Sequence, residues 1–328
     1  MKDLNFQTKA VREGHHATEE QEHSEAIFLT SSYRFKSAEQ AADRFENKQK
    51  GNVYSRFTNP TVDAFQNKLA ALEGAEKCQA TASGMSAIFA TIMTLLKPGE
   101  HMVASRCMFG TTIVLLNSII EKLDIQITFV DLGDLDGWKK SVQKNTKLVL
   151  LETPSNPLGE VVDIEKLAAI SKKNNIVLAV DNCVMTPALQ KPLTLGADLV
   201  IHSATKYIDG QGRCLAGAVA GSESLIDEIS AFARSTGPTL SAFNAWIVLK
   251  GLETLKIRMD AHCRSAKKLA VWLNDQSFIK KVHYIGLENH PNHEIAKKQQ
   301  TGFGGIVSFE VSGGRAEAFR LINNTKMI

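Results

Sequence analysis

Apolar positions along this chain follow two periods. From residue 59 to about 221, short β-branched runs alternate with stretches in which apolar residues return every three or four positions. This is the rhythm of β-α-β units around a mainly parallel sheet. Asn59 can cap orphan amides and Pro60 suits a first helical position. Val62, Phe65, Leu69 and Leu72 then recur at helical spacing until Gly74 supplies a stop. A second helix is predicted from Gly84 through Ile88, Ile92, Leu95 and Leu96 to the break at Pro98-Gly99. Residues 125–130, 148–151, 176–180 and 199–202 read as strands, short and apolar on both faces as buried parallel strands are. Residues 164–174 read as the helix between two of them.

The flanks differ from this core. The first 58 residues hold Ser/Thr-rich turns and one helical stretch, 38–46, with too few apolar positions for a core of their own, so they are expected to pack on a neighbouring subunit. After the core, one long helical pattern from about 240 to 274 carries Trp246, Leu249, Leu252, Leu255, Leu269, Trp272 and Leu273. Residues 306–311 read as a strand, Gly313-Gly314 as a turn and 315–322 as a helix. A lone strand-helix pair leaves an apolar face and a sheet edge uncovered. The expected organisation is α/β, with an N-terminal segment 1–58, a main domain 59–240 and a small, incomplete C-terminal domain 241–328.

Composition narrows the function classes. Among 328 residues, 38 Lys+Arg against 35 Asp+Glu give a net charge of +3, no basic excess with which to neutralise a nucleic-acid backbone. No apolar run approaches a membrane span and the first residues hold no apolar signal core, so no membrane partner and a cytoplasmic location are expected. Cys78, Cys107, Cys183, Cys214 and Cys263 show no Cys-x-x-Cys spacing and read as reduced thiols. His15, His16, His290 and His293 have no Cys or carboxylate at ligand spacing, so they are read as solvated and no metal site is expected. The glycines at 302–305 precede a strand where a dinucleotide loop would follow one.

The chemistry concentrates at strand ends. In residues 198–207, Lys206 sits just beyond a buried strand, where its amine can form a Schiff base with a carbonyl, and Ser203 and Thr205 offer hydroxyls to a phosphate beside it. Asp181 ends a neighbouring strand, at the edge where open α/β sheets gather ligands, and could hold a pyridinium nitrogen protonated. Ser83-Gly84-Met85-Ser86 adds a glycine for close backbone approach and a helix start whose amides suit an anion. Together these parts match the needs of pyridoxal phosphate.

The strings at residues 54–61, 82–85, 152–157, 180–182 and 202–207 make the chain resemble, over nearly its whole length, the pyridoxal-phosphate enzymes of Cys/Met metabolism, and within them the O-succinylhomoserine sulfhydrylases. The resemblance implies a fold-type-I sheet with pyridoxal 5'-phosphate carried on Lys206. It further implies that Asp181 meets the ring nitrogen, that Ser83, Gly84, Met85, Ser203 and Thr205 surround the phosphate, that Asn156 touches the ring hydroxyl and that Phe109 stacks on the ring. Tyr54 and Arg56 would reach the phosphate of a neighbouring subunit in a homodimer, two of which form a homotetramer. The implied reaction joins O-succinylhomoserine and sulfide into homocysteine, for methionine biosynthesis, with cystathionine γ-synthase and cystathionine or methionine lyase as the alternatives. Most members of the family carry Tyr where Phe109 stands, methionine γ-lyases have Cys at the place of Thr111, and many relatives have Thr at Cys183. Relatives also run on past residue 328 and carry there an arginine for the substrate's α-carboxylate, so a truncated chain that holds cofactor with little activity is a further expectation. Arg213 is a candidate anchor for the distal carboxylate of the succinyl group.

Overall fold

The computed structural model describes residues 4–46 and 48–327. Seven strands form the central sheet: β1 (Lys77–Thr81), β2 (His101–Ser105), β3 (Gln126–Val130), β4 (Thr146–Glu152), β5 (Val177–Asp181), β6 (Leu199–His202) and β7 (Gly217–Gly221). Their order across the sheet is β1-β7-β6-β5-β4-β2-β3. Strand β7 runs antiparallel to both its neighbours, and the other pairings are parallel. The C-terminal ends of β1, β4, β5 and β6 therefore share one edge with the start of β7.

The four strands anticipated from apolar runs lie within a residue or two of their predicted places. Three others, β1, β2 and β7, escape that reading because their side chains are small or polar. The sequences KCQAT and GAVAG contain hardly a β-branched residue. Packing explains the choice, since Ala80, Ala218 and Ala220 are buried in one cluster with Phe65, Leu69 and Leu72 of the helix Pro60–Glu73. A Cβ on Gly217 would lie 2.1 Å from the Ser83 carbonyl oxygen. Larger side chains would hold the helices off the sheet.

Local signals place the two helices that flank the site. Asn59 Oδ1 accepts from the amides of Thr61 and Val62, Pro60 opens the helix, and Gly74 closes it in the left-handed conformation. The helix Gly84–Leu95 begins with a reciprocal cap in which Ser83 Oγ takes the Ser86 amide and Ser86 Oγ takes the Ser83 amide.

The expected long helix over 240–274 is two helices, Ala242–Glu253 and Leu255–Asn274, separated at Thr254. Gly251 lets the first of them lie against the Ile208 carbonyl, 2.1 Å from where its Cβ would be. The strand expected near 306–311 is β9 (Ser308–Val311), and it does not stand alone. It pairs antiparallel with β8 (Ile279–His283), whose sequence IKKVH lacks a buried apolar stripe and gave no signal. His293 is another departure: it is buried, stacked on Phe303 with ring centroids 5.0 Å apart, and its Nδ1 lies 2.8 Å from the Ile285 carbonyl oxygen.

The N-terminal segment divides. The helix Phe6–Arg12 packs on the chain's own helix Pro60–Glu73, burying Ala10. Glu25 accepts from Lys68 and Lys250, and Trp246 Nε1 donates to the Glu25 carbonyl. Residues 29–58 are mostly exposed, with Val53 the one buried apolar side chain among those described. No helix among the described residues is long and apolar enough to cross a membrane.

Candidate active site

A cavity of about 580 Å³ opens at the shared strand edge, lined by Ser83, Gly84, Met85, Phe109, Asn156, Asp181, Ser203, Thr205 and Lys206. Nine of the eleven candidate residues thus meet in one place. Tyr54 and Arg56 do not. They line a separate cleft of about 490 Å³ with Ser31 and Thr239, where the Arg56 guanidinium lies over the Phe57 ring and donates to the Arg234 carbonyl.

One wall is the start of the helix Gly84–Leu95. The first amides of a helix have no partner within it, and they carry the positive end of its dipole. Gly84 brings that end against Ser203: an added Cβ would sit 2.6 Å from the Ser203 Cβ and 2.9 Å from its Cα. A small anion held between the helix start and the Ser203 hydroxyl needs such a bare backbone. Thr205 stands in the same wall, but its hydroxyl is engaged by Ala216, donating to the carbonyl at 3.1 Å and accepting from the amide at 3.0 Å.

The floor carries two carboxyl groups. Asp181 Oδ1 accepts from the Cys183 amide at 2.9 Å, which fixes the plane of the side chain. Burial raises its pKa to about 6, opposed by that amide and by His202. Glu152, which opens the string 152–157 and carries no sign of a role in the sequence alone, ends the adjacent strand and accepts from the Phe109 amide at 2.9 Å. Its own pKa is raised to about 8, first by burial and then by the charge of Asp181. The Glu152 bond seats Phe109 at the cavity mouth, where the residue is 52 % exposed. Burial, with the charges of Asp181 and Glu152, also pushes up the Cys183 thiol, which donates to the Ser203 carbonyl at 3.6 Å.

Lys206 lies at the rim and is exposed, more open to solvent than a desolvated cleft would leave it. Its amine has no ion-pair partner among the described residues. The turn that bears it is held hard. Arg258 donates to the carbonyls of Tyr207 at 2.6 Å, Ile208 at 3.1 Å and Gly251 at 2.7 Å. Arg213, the candidate anchor for a distal carboxylate, is absent from the cavity lining. Its Nε donates to the buried Asp209 at 2.8 Å, and its own amide donates to the same carboxylate at 2.7 Å. Ile88, Thr112, Val184, Tyr207, Leu215 and Ile306, with Glu152 and Cys183, complete the lining.

A flat basic ring bearing an aldehyde and a phosphate finds the groups it needs in this one cavity: amides and a hydroxyl for the anion, a carboxyl for the ring nitrogen and an unpaired amine for the aldehyde. On this sheet, that is the class of pyridoxal-phosphate enzymes of fold type I.

Comparison with known proteins narrows the class. Residues 7–328 match the family described as Cys/Met metabolism PLP-dependent enzyme. The chain is 55% identical to the O-succinylhomoserine sulfhydrylase of Pseudomonas aeruginosa over 323 residues, 98% of this chain and 80% of that one. It is 44% identical to an L-methionine gamma-lyase of Fusobacterium nucleatum over 304 residues, 92% of this chain and 77% of the other. The solved structure of MetY from Campylobacter jejuni, determined with N'-pyridoxyl-lysine-5'-monophosphate, superposes with a TM-score of 0.95 at 32% identity, covering 99% of this chain and 90% of that one. The chain belongs to the Cys/Met metabolism PLP-dependent enzymes.

Proposed function

We propose that the protein is an O-succinylhomoserine sulfhydrylase, replacing the succinate of O-succinylhomoserine with sulfide to give homocysteine. The observation that carries this reading is Phe109. At the cavity mouth it provides an apolar face for a ring and no hydroxyl, so the position lacks an acid suited to protonating a leaving thiolate, whereas succinate leaves as a stable anion without one. Tyr207, also in the lining, has its phenol pushed up by burial and packed close to Gly305 and edge-on to His262. The sulfhydrylase relative at 55% identity supports the same choice.

In this reading Lys206 would hold the cofactor through its amine, and the same amine would move protons at the substrate's Cα and Cβ. Bound pyridoxal phosphate supplies an electron sink for negative charge developing on the substrate. Asp181 holds a proton on the ring nitrogen. Ser83, Gly84, Met85, Ser203 and Thr205 bind the phosphate, the last by exchanging its bond to Ala216. Asn156 meets the ring hydroxyl and Phe109 covers the ring. Tyr54 and Arg56, set apart from Lys206 within one chain, complete the phosphate site of a second subunit, and the largely exposed segment 29–58 is the part that docks there. A homodimer, paired into a homotetramer in the cytoplasm, is the expected assembly.

The test is product analysis with the purified chain: O-succinylhomoserine with sulfide, O-succinylhomoserine with cysteine, and methionine alone. Sulfide-dependent homocysteine as the main product is expected. Dominant release of a volatile thiol from methionine, or cystathionine from cysteine, would assign the protein to the lyases or synthases.

A further inference from the structure

The carboxyl group of Glu73 is buried beneath the cavity, outside its lining, and nothing in the reaction uses it. It is the last residue of the helix Pro60–Glu73. A carboxyl group at that end gains nothing from the helix dipole, which favours cations there. Its Oε2 is buried without a hydrogen-bond partner. A sequence selected for stability alone has little reason to keep such a group, because an unsatisfied buried polar atom loses its hydration with no bond in return. Glu73 is therefore a candidate for another task.

Its other oxygen shows what the task is. Glu73 Oε1 lies 2.6 Å from His202 Nε2 and accepts from Asn182 Nδ2 at 3.3 Å. His202 ends β6 and is followed directly by Ser203, while Asn182 directly follows Asp181 at the end of β5. One oxygen thus ties together the two strand ends that carry the phosphate-side hydroxyl and the ring-side carboxylate. Asn182 is held from a second direction: its side chain donates to the Gln190 carbonyl at 2.9 Å and accepts from Gln190 Nε2 at 3.1 Å. Gln190 in turn donates to the Thr153 carbonyl at 2.8 Å, beside Glu152. All of Glu73, Asn182, Gln190 and His202 are buried.

We propose that Glu73 is a positioning residue of the cofactor site, fixing the spacing between Asp181 and Ser203 through Asn182 and His202. Neither strand end can drift from the other without breaking a buried bond to the same atom. The proposal rests on the reading that Asp181 and Ser203 hold the cofactor, and it adds a residue that touches neither the cofactor nor the substrate. The sequence alone could not single it out, since a glutamate near a helix end before a glycine looks like any solvated side chain.

The experiment titrates cofactor-free protein with pyridoxal phosphate, reading affinity from the visible band and ring orientation from the induced circular dichroism of that band. It compares wild type, Glu73→Gln, Glu73→Ala and Asp181→Ala, with the melting temperature of each cofactor-free protein measured in parallel. Glu73→Ala is expected to weaken binding about 10-fold or more, in the range found when groups that orient direct ligands are removed, and to alter the induced signal. Glu73→Gln, which keeps one acceptor oxygen at the same reach, is expected to recover part of both, and it decides the matter should the alanine variant fail to fold. Wild-type affinity and an unchanged induced signal in Glu73→Gln and Glu73→Ala, alongside weakened binding in Asp181→Ala, would overturn the role of Glu73 alone. Undiminished binding in Asp181→Ala would overturn the underlying site assignment instead.

Discussion

Glu152 and Asp181 are register partners on the adjacent parallel strands β4 and β5, both at the cavity end. Two acids placed side by side in a buried floor cannot both ionise cheaply, and each raises the cost for the other.

The first prediction follows from that pair. Both pKa values are raised, to about 8 for Glu152 and about 6 for Asp181, with burial the leading cause in each. A raised folded-state value means that the folded chain holds protons the unfolded chain has released. The stabilisation is complete below the ordinary carboxylate range and is lost as pH rises through 6 and 8. Cofactor-free protein should therefore melt at a lower temperature at pH 8 than at pH 5. Glu152→Gln, which cannot ionise but can still accept from Phe109, should flatten that decline by a few degrees. Melting curves between pH 5 and 8.5 are the measurement, and equal slopes in the two proteins would refute the assignment.

Gly84→Ala offers a test with an unusual sign. In a helix, alanine is favoured over glycine by about 1 kcal/mol. Here the added methyl group meets Ser203 at 2.6 Å, so the helix start must withdraw from β6. The variant should bind pyridoxal phosphate at least roughly 10-fold more weakly, as expected for a displaced anion site. Equilibrium titration would show it; affinity equal to wild type would mean that the helix start does not hold the phosphate.

Acid sensitivity, by contrast, should have a source in the N-terminal segment. Burial works against ionisation of Glu25, yet the hydrogen bond from Lys250 and the charge of buried Lys68 prevail and lower its pKa to about 2. This is the opposite case: the stabilisation is present above the ordinary glutamate value near 4.5 and drains away as pH falls toward 2. Glu25→Gln should cost about 3 kcal/mol at pH 7 by leaving Lys68 short of a partner. The gap between variant and wild type should narrow below pH 4, which urea denaturation at pH 7 and pH 3.5 can measure.

Arg213 and Arg258 should separate cleanly. Arg213→Ala strands the buried Asp209 and is expected to lower stability by about 3 kcal/mol while leaving KM for the ester near its original value. Arg258→Lys replaces a fork across three carbonyls with a single point donor. Its expected effect is a fall in kcat of about 10-fold, because the turn bearing Lys206 loosens. A large rise in KM for the succinyl ester in Arg213→Ala would restore that residue as the substrate's anchor.

How far the site could be read from the sequence depended on the kind of signal each part leaves. Lys206 and Asp181 are legible because each follows an apolar run that only a buried strand would carry, and the Ser83-Gly84 helix start because its glycine and amides have a stated geometric use. Strands β1 and β7 are not, since the demand on them is smallness under two helices, and alanine and glycine serve many other purposes. The pairing of β8 with β9 and the break at Thr254 are set by contacts distant in sequence. Glu152 was visible as a residue but not as half of a pair, because the register of β4 on β5 is a property of the folded sheet. His293 reads as a solvated ring for the same reason: Phe303 covers it only after folding.

The position of β7 also governs the order in which the protein can come into being. The first strand made, β1, joins the sheet only through the last one, so the hydrogen-bonded ladder between the strands that lead to Ser83 and Ser203 is complete only when residues 217–221 have been synthesised and inserted between them. Until that moment the two sides of the anion site are joined by helix packing and by the Glu73 bonds to Asn182 and His202, with no strand between them. A chain stalled before residue 217 would lack the strand that spaces those two sides, and its grip on a phosphate is expected to be weaker for it.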